Sequence, residues 1–470
     1  MLRLRDYQTD LVAKIRDSYK QSNKAVMAVL PTGGGKTVVF SHIAASVASR
    51  GKRVVVLVHR VELLRQTSAA LTKSDVAHGL INPKFTPDYS KAVQVASVQT
   101  LVNRLTKLPT PDLIIVDECH HANAGSWRKI IAAYPNALVL GVTATPVRGD
   151  GTGLGVQSGG IFEDLVEGPQ VPWLIEQGHL VRPVIYAPLE RLSLKGVKVV
   201  RGDYDQKELA KRVDKPKITG DVVDHYRRLC PGTPAVVFCV SVAHAQHVAD
   251  EFRAAGFRAY PVDGSMEDDV RKRILGGLGN GSVDVVCSCD LISEGTDIPA
   301  IGCAILLRPT QSTGLYIQQV GRALRPCEGK ERAIILDHVG NVITHGLPEE
   351  HREWSLDGEV KKNKGKGEKA EKKVQVRQCM SCFAMHEPAP VCPLCGHVYE
   401  IDQPKVEDGE LQQLTAEQML SIRRQKNSEV GQAKTLQELE AIGKARGYKP
   451  GWARFQWEAK QRKIANNQII

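Results

Sequence analysis

A chain of 470 residues has room for about three domains of ordinary size, and 42% hydrophobic residues are ample for buried cores. Charged residues at 24% exclude both wholesale disorder and one long coiled coil. The net charge of +11 and isoelectric point of about 9.0 favour a polyanionic partner such as nucleic acid, although charge alone fits an ordinary basic protein equally well.

The start, "MLRLRDYQTDLVAKIRD", carries charges throughout and has no apolar core, so it does not read as a signal peptide. No stretch approaches the ~18 apolar residues of a membrane span. Eleven cysteines without an export signal point to reduced thiols in the cytoplasm. Four are paired near the C-terminus, and the scattered remainder are expected to pack as small apolar side chains. From residue 25 onward, "AVMAVL" (25–30), "VVVLV" (54–58), "LIIV" (113–116) and "LVLGVT" (138–143) read as fully buried strands alternating with helices. After residue 230 the pattern begins again with "AVVFCV", "DVVCS", "CAILL" and "AIILD". Two such series predict two α/β domains, each a parallel sheet covered on both faces.

"AVLPTGGGKTVVFSHIAASVA" carries the most specific signal. A strand enters Thr32-Gly33-Gly34-Gly35-Lys36-Thr37, and a helix follows with Val39, Ile43 and Val47 on one face. Glycines let a backbone wrap a phosphate, and the helix N-terminus aims its free N–H groups at the anion. Lys36 suits the β- and γ-phosphates of ATP and Thr37 suits Mg²⁺. The strict pattern wants glycine where Leu30 stands. "LIIVDE" then brings Asp117 to the end of a strand for the Mg²⁺ shell and Glu118 to orient or deprotonate water, with strand alternation pointing them to opposite sides.

Cys119, His120 and His121 follow directly and suggest three readings: a soft-metal site, a Cys-His nucleophile, or mere neighbours of an Mg²⁺ centre. Adjacent residues at a strand end diverge and no fourth ligand is spaced to help, which favours the last. "RGDGTGLGVQSGG" (148–160) reads as a flexible surface loop and "VPWLIEQGHLVRP" (171–183) as a bridge to the second domain. "YIQQVGRALRP" reads as one helix that places Arg322 and Arg325 on one side. A lysine-rich linker follows near 355, and then "CMSCFAMHEPAPVCPLCG". Its Cys379, Cys382, Cys392 and Cys395 form two C-x₂-C knuckles that fit a closed tetrahedral, structural Zn²⁺, with His386 and His397 as spares. The tail is expected to be helical. Thr415 and Gln418 suggest a capping box, Leu436, Leu439 and Ile442 one helix face, and Gly447 with Pro450 the break before a third helix. Its Tyr448, Trp452, Phe455 and Trp457 form a small core or stack on bases.

"LPTGGGKT", "DECH", "TAT" (143–145) and "QQVGRALR" (318–325) stand in the order and spacing of superfamily 2 DEAD/DEAH-box helicases, a family the chain resembles from residue 1 to about 340. "YQTDLV", with Gln8, resembles the adenine-reading motif. "VLVHRVELLRQ" (56–66) and "ASVQTL" (96–101) resemble strand-contacting motifs, and "SEGTDIPA" (293–300) the fifth motif. With the late cysteine pairs, the chain looks most similar to RadD-like bacterial repair helicases and their phage-encoded relatives. The resemblance implies two tandem RecA-like parallel-sheet domains with ATP between them. It makes Arg322 and Arg325 the fingers on the γ-phosphate and places Gln318, in the same segment, among the catalytic residues. It has Gly295 and Asp297 couple nucleotide to strand, and His120 relay to Thr143 and Thr145. "DECH" departs from both family names at its third residue, so neither name supplies a substrate.

The expected organisation is a first helicase domain over 1–170, a second over 171–350, a basic linker over 351–375, a zinc module over 376–400 and a helical appendage over 401–470. The expected activity is an ATP-dependent nucleic acid helicase or translocase, with DNA favoured over RNA, in repair, recombination or phage replication. An ATP-switched nucleic acid clamp and the motor subunit of a nuclease complex are the rivals. The expected setting is the bacterial or phage-infected cytoplasm, away from membrane, with a repair or replication protein docking on the zinc module or tail.

Overall fold

The computed structural model describes residues 3–399 other than 123–124, 149–151, 189–191, 193, 201, 215, 290–297, 299 and 358–375, and residues 429–458 other than 431, 434 and 446–450. The chain divides into two compact units, Met1–Tyr399 and Glu400–Ile470.

The first unit is built on two large sheets. β1 (Ala25–Val29), β2 (Val54–Val58), β3 (His78–Ile81), β4 (Val93–Ser97), β5 (Leu113–Asp117), β6 (Leu138–Thr143) and β7 (Asp164–Glu167) form a seven-stranded sheet in the order β3-β4-β2-β5-β6-β1-β7. Every neighbouring pair in it is parallel. β8 (Arg182–Tyr186) opens the second lobe, and β9 (Val199–Val200) with β10 (Asp203–Tyr204) makes a separate hairpin. β11 (Ala235–Phe238), β12 (Ala259–Val262), β13 (Val285–Ser288), β14 (Cys303–Leu306) and β15 (Arg332–Asp337) join β8 in parallel. The strands expected from sequence are those buried at nearly every position, as β1, β2 and β5 are throughout. β7, β8 and β12 escape that reading because polar residues or proline interrupt them. Pro261 is tolerated because β12 lies at a sheet edge, where a missing N–H breaks no ladder.

Three segments are tied down more firmly than their composition suggests. The glycine-rich stretch expected to be a flexible loop is instead anchored: Leu154 is fully buried, and the N–H groups of Leu154 and Gly155 donate to Leu356 O at 2.8 and 2.9 Å. Residues 352–357 form the matching strap. Arg352 and Gln170 exchange two hydrogen bonds (2.8 and 2.9 Å), and Trp354 and Leu356 pack on the first sheet's core. Those two apolar side chains hold down the start of the stretch assigned to a solvated linker; the lysine-rich remainder lies outside the described residues. The cysteine module is also built into the second lobe. Its hairpin, β16 (Arg377–Gln378) and β17 (Ala384–His386), extends the sheet to eight strands in the order β12-β13-β11-β14-β15-β8-β17-β16, with β17 antiparallel to β8. Buried Ala384 and Met385 therefore borrow a core that the short module cannot build alone.

Among the scattered cysteines, Cys119, Cys230, Cys239, Cys287 and Cys303 are buried as expected, Cys289 is half-buried and Cys327 is exposed. In the second unit, Leu436–Ala445 is helical with Leu439 buried, and residues 452–458 form another helix. A Cβ at Gly443 would stand 3.3 Å from the Trp452 ring, so these two helices pack there, while Phe455 is exposed. Thr415, Gln418, Gly447, Tyr448 and Pro450 lie outside the described residues. Among the described residues no helix is long and apolar enough to cross a membrane.

Candidate nucleotide site between the two sheets

At the carboxyl end of β1 the chain turns through Gly33 (φ +87°) and Gly35 (φ +89°), left-handed conformations that glycine adopts without penalty, and enters the helix Lys36–Ala48. The turn is braced from behind. Tyr7 Oη donates to Gly34 O at 2.9 Å and Gln8 Nε2 donates to the same oxygen at 3.1 Å, while Gln8 Oε1 accepts from Arg5 N. A side chain at Gly35 would collide with Gln8. Gln8 thus stands behind the loop, 4% exposed, and does not line the cleft in front of it.

The cleft encloses about 270 Å³ and is lined by Thr32, Gly33, Gly35, Lys36, Thr37, Asp117, Glu118, Arg322 and Arg325, together with Val38, Leu63, Gln66 and Pro326. Most of the expected ATP-site residues therefore converge in one space, although they come from three separate stretches of chain. Gln318 is buried in its helix and does not line it, and Gly295 and Asp297 lie outside the described residues. Leu63 and Gln66 escaped the sequence reading, since their segment resembled a strand-contacting motif. Their position beside a glycine loop becomes evident only once β2 and β5 are paired.

The two carboxylates are separated by a turn, not by strand alternation. β5 ends at Asp117, and Glu118 adopts φ 49°, ψ 55° with its N–H donating to Asp117 Oδ1 at 3.0 Å. This left-handed corner carries Glu118 back over the loop, where Oε1 lies 3.6 Å from Lys36 Nζ. Both groups are largely shielded from water, so the pair is an interaction of low local dielectric. Oε2 of the same carboxylate lies 3.4 Å from His120 Nδ1, which is 3.2 Å from Thr143 Oγ1. Thr143 Oγ1 in turn accepts from Thr145 N at 3.1 Å. Thr145 Oγ1 sits 3.0 Å from where a Cβ would stand on Gly314, at the start of the helix Thr313–Ala323. A polar path therefore runs from Glu118 to Thr145, whose side chain packs against the second lobe at Gly314. Cys119 takes no part: it is fully buried, and burial together with the Glu118 and Asp117 carboxylates pushes its thiol well above the ordinary value. A neutral thiol sealed under β6 is neither nucleophile nor metal ligand.

The helix Thr313–Ala323 is capped by Ser312 Oγ, which accepts from Leu315 N, and it crosses the cleft towards the glycine loop. Arg322 lies in its last turn, but Arg325 lies beyond its end, so the two arginines do not share a helix face as the sequence suggested. They meet at the cleft because the helix stops. Lys330 holds the exit by donating to Arg325 O at 2.6 Å and Ile301 O at 2.5 Å, and burial lowers its ammonium to about 8. A Cβ on Gly321 would come within 2.7 Å of Thr32 Cβ, and one on Gly33 within 2.7 Å of Leu180 and 3.4 Å of Arg325 Cγ. Glycines on both sides thus let side chains come close against the opposing backbone. An ion network closes the same face. Asp268 pairs with Arg65 (2.7 Å), Lys84 (3.1 Å) and Arg271 (2.7 Å), and Arg271 also pairs with Glu62 (2.5 Å). Hydrogen bonds from Arg65 and Lys84 hold the Asp268 carboxyl down to about 2. In sequence these charges look like ordinary solvated helix faces, with no signal of a partner some two hundred residues away.

The cysteine pairs meet the demands of their metal. A tetrahedral zinc with Zn–S bonds of about 2.3 Å holds its sulfurs about 3.8 Å apart. Cys379 and Cys395 Sγ are 3.6 Å apart, Cys382 and Cys392 Sγ 3.8 Å, and all four lie within 4.8 Å of one another. His386 is engaged elsewhere, with Nε2 2.7 Å from Tyr399 Oη and Nδ1 2.6 Å from Glu387 O. The donor set fits zinc, and among the described residues it is the one cluster of potential ligands placed to hold a metal.

Comparison with known proteins agrees with this geometry. Residues 1–148 match the family described as "Type III restriction enzyme, res subunit", and residues 214–327 match "Helicase conserved C-terminal domain". The chain is 37% identical over 377 residues to a "51.5 kDa protein" of a Lactococcus phage, covering 79% of this chain and 78% of that one. It is 31% identical to the "Putative ATP-dependent helicase IRC3" of Saccharomyces cerevisiae, covering 72% of this chain and about half (51%) of the yeast protein. Among solved structures, a fragment of a putative HsdR subunit of a type I restriction enzyme from Vibrio vulnificus shares the fold at TM-score 0.57 and 22% identity, over 73% of this chain and 67% of that one. With its phosphate loop, carboxylate corner and second-lobe arginines facing one cleft, the chain belongs to the superfamily 2 helicases.

Proposed function

We propose that the protein is an ATP-driven motor on DNA, a helicase or translocase of repair, recombination or phage replication. The observation that carries this reading is that Arg322 and Arg325 of one lobe line the same cleft as Thr32 to Thr37, Asp117 and Glu118 of the other. Hydrolysis then requires closed lobes, and repeated closing is what moves a strand. Lys36 and the loop N–H groups take the phosphates. Thr37 and Asp117 are the residues that would hold Mg²⁺, which neutralises phosphate charge. Glu118 accepts the proton of the water that attacks the γ-phosphorus, the bond to the ADP oxygen breaks, and the arginines neutralise the departing charge. His120, Thr143 and Thr145 carry the change at Glu118 to the base of the arginine helix. The four cysteines hold a structural Zn²⁺ that locks the β16–β17 hairpin.

The net charge of +11 suits a nucleic acid partner, and DNA is favoured by the restriction-enzyme family model over the first lobe. The phage relative favours the cytoplasm of a bacterium or infected host. Lys36→Ala tests the reading, with expected loss of ATPase activity and an unchanged melting temperature. In the parent protein, single-stranded DNA should stimulate the ATPase more than RNA, and stimulation should fall steeply with salt as the entropic gain from releasing counterions shrinks. Undiminished hydrolysis by Lys36→Ala, or stimulation equal at low and high salt, would refute it. A second reading, the motor part of a nuclease assembly, draws on 25% identity to the Escherichia coli type I restriction enzyme EcoKI endonuclease subunit, of which the chain spans 33%.

A further inference from the structure

The two cysteine knuckles share one backbone but place different residues at its left-handed position. In each, the residue after the second cysteine closes the turn onto the first cysteine's carbonyl: Phe383 N donates to Cys379 O at 2.8 Å, and Gly396 N to Cys392 O at 3.0 Å. In each, that residue is left-handed, with φ 63° at Phe383 and 73° at Gly396. Glycine adopts this conformation freely, whereas for a bulky side chain it is an outlier. The second knuckle carries the residue its turn asks for, and the first carries an aromatic.

Packing does not offset that strain. Phe383 is 57% exposed, although its neighbours Ala384 and Met385 are buried at 3% and 7%. The backbone that carries the ring is nevertheless fixed. Cys379 N donates to Ala384 O at 2.9 Å, Gln378 Nε2 reaches Phe383 O at 3.4 Å, and the next residue enters β17, which pairs with β8 of the motor. A strained, exposed ring on a rigid mount is costly to keep unless something uses it. Along the sequence, seven lysines between 361 and 373 lead into this knuckle, which suits a polyanion rather than an apolar protein surface.

We propose that Phe383 is a stacking platform for an unpaired base of the DNA strand, making the cysteine module part of the DNA-binding surface as well as a metal-locked turn. This rests on the motor reading only in taking DNA as the ligand. Stacking on an aromatic face accepts any base and involves no phosphate. It therefore predicts lost affinity without a changed salt dependence, unlike the loss of a lysine.

The test uses the full-length, zinc-loaded protein with Phe383→Gly and Phe383→Trp. Fluorescence anisotropy follows binding to labelled oligothymidylate and to an abasic strand of equal length, which has the same phosphates and no bases. Phe383→Gly should bind oligothymidylate about tenfold more weakly, bind the abasic strand like the parent, and keep the parent's salt slope. It should retain one zinc and melt no lower, because glycine suits the turn; Phe383→Trp should bind like the parent. Unchanged oligothymidylate affinity in Phe383→Gly would overturn the proposal. An equal loss on the abasic strand, or loss of zinc, would overturn it too. A parent protein that binds neither strand would instead overturn the motor reading beneath it.

Discussion

Gly321→Ala probes how closely the two lobes must approach. The added Cβ would stand 2.7 Å from Thr32 Cβ and 3.0 Å from Thr32 Cγ2. Carbon atoms in contact sit about 3.5–4.0 Å apart, so the arginine helix must withdraw from the glycine loop by about 1 Å. A misplacement of that size costs about a hundredfold in rate when the displaced groups act only in the transition state. Arg322 is the next residue, and Arg325 leaves the same helix end. Stability should move the other way, because alanine inside a helix is favoured over glycine by up to about 1 kcal/mol. The assay is steady-state ATPase with saturating single-stranded DNA, paired with a thermal melt. The expected result is a turnover lowered by about two orders of magnitude, with a melting temperature equal to or above the parent's. Parental turnover in Gly321→Ala would refute the closed-lobe reasoning, since it would mean that the Gly321–Thr32 approach is not needed for catalysis.

Two further outcomes follow from groups outside the cleft. Asp268→Asn keeps the shape of the interlobe network but removes the anion that Arg65, Lys84 and Arg271 share. Partly exposed pairs are individually weak, so the ATP KM should rise only about threefold to fivefold, and high salt should bring the parent to the variant's value; equal KM at low salt would show that the network does not hold the lobes. His338 gives an acid limit to stability. Burial, with His225 beside it, pushes its imidazole from 6.5 to about 3. The fold favours the neutral ring, so this stability is present above about pH 6.5 and is lost as pH falls towards 3, with the loss reaching about 2 kcal/mol at pH 5. Thermal melts between neutrality and about pH 5 should be flatter for His338→Gln than for the parent; parallel curves would show that His338 does not set the acid limit.

The sequence was most informative where chemistry is local. A glycine loop before Lys36 and Thr37, a carboxylate pair ending a β-branched run, and two cysteine pairs each work through residues a few positions apart. Their spacing along the chain is therefore nearly their spacing in space. The same locality explains the buried strands, because a strand covered on both faces must be apolar at every position. The chain also holds turns that local rules misread. Glu118 leaves its strand through a left-handed corner, and Arg325 reaches the cleft by lying past the end of a helix. Composition alone did not reveal that Leu154 and Leu356 clamp a glycine-rich stretch, or that β17 completes a sheet begun near residue 182.

By itself the sequence determined that two parallel-sheet lobes carry a phosphate loop and that four thiols are spaced for one metal. Only the tertiary structure decided that Leu63 and Gln66 face the nucleotide cleft, that Gly321 must be small, and that Asp268 joins the lobes. Each of those depends on a partner far along the chain. A helix face turned to a second lobe has the same polar pattern as one turned to water, so only the packing distinguishes them.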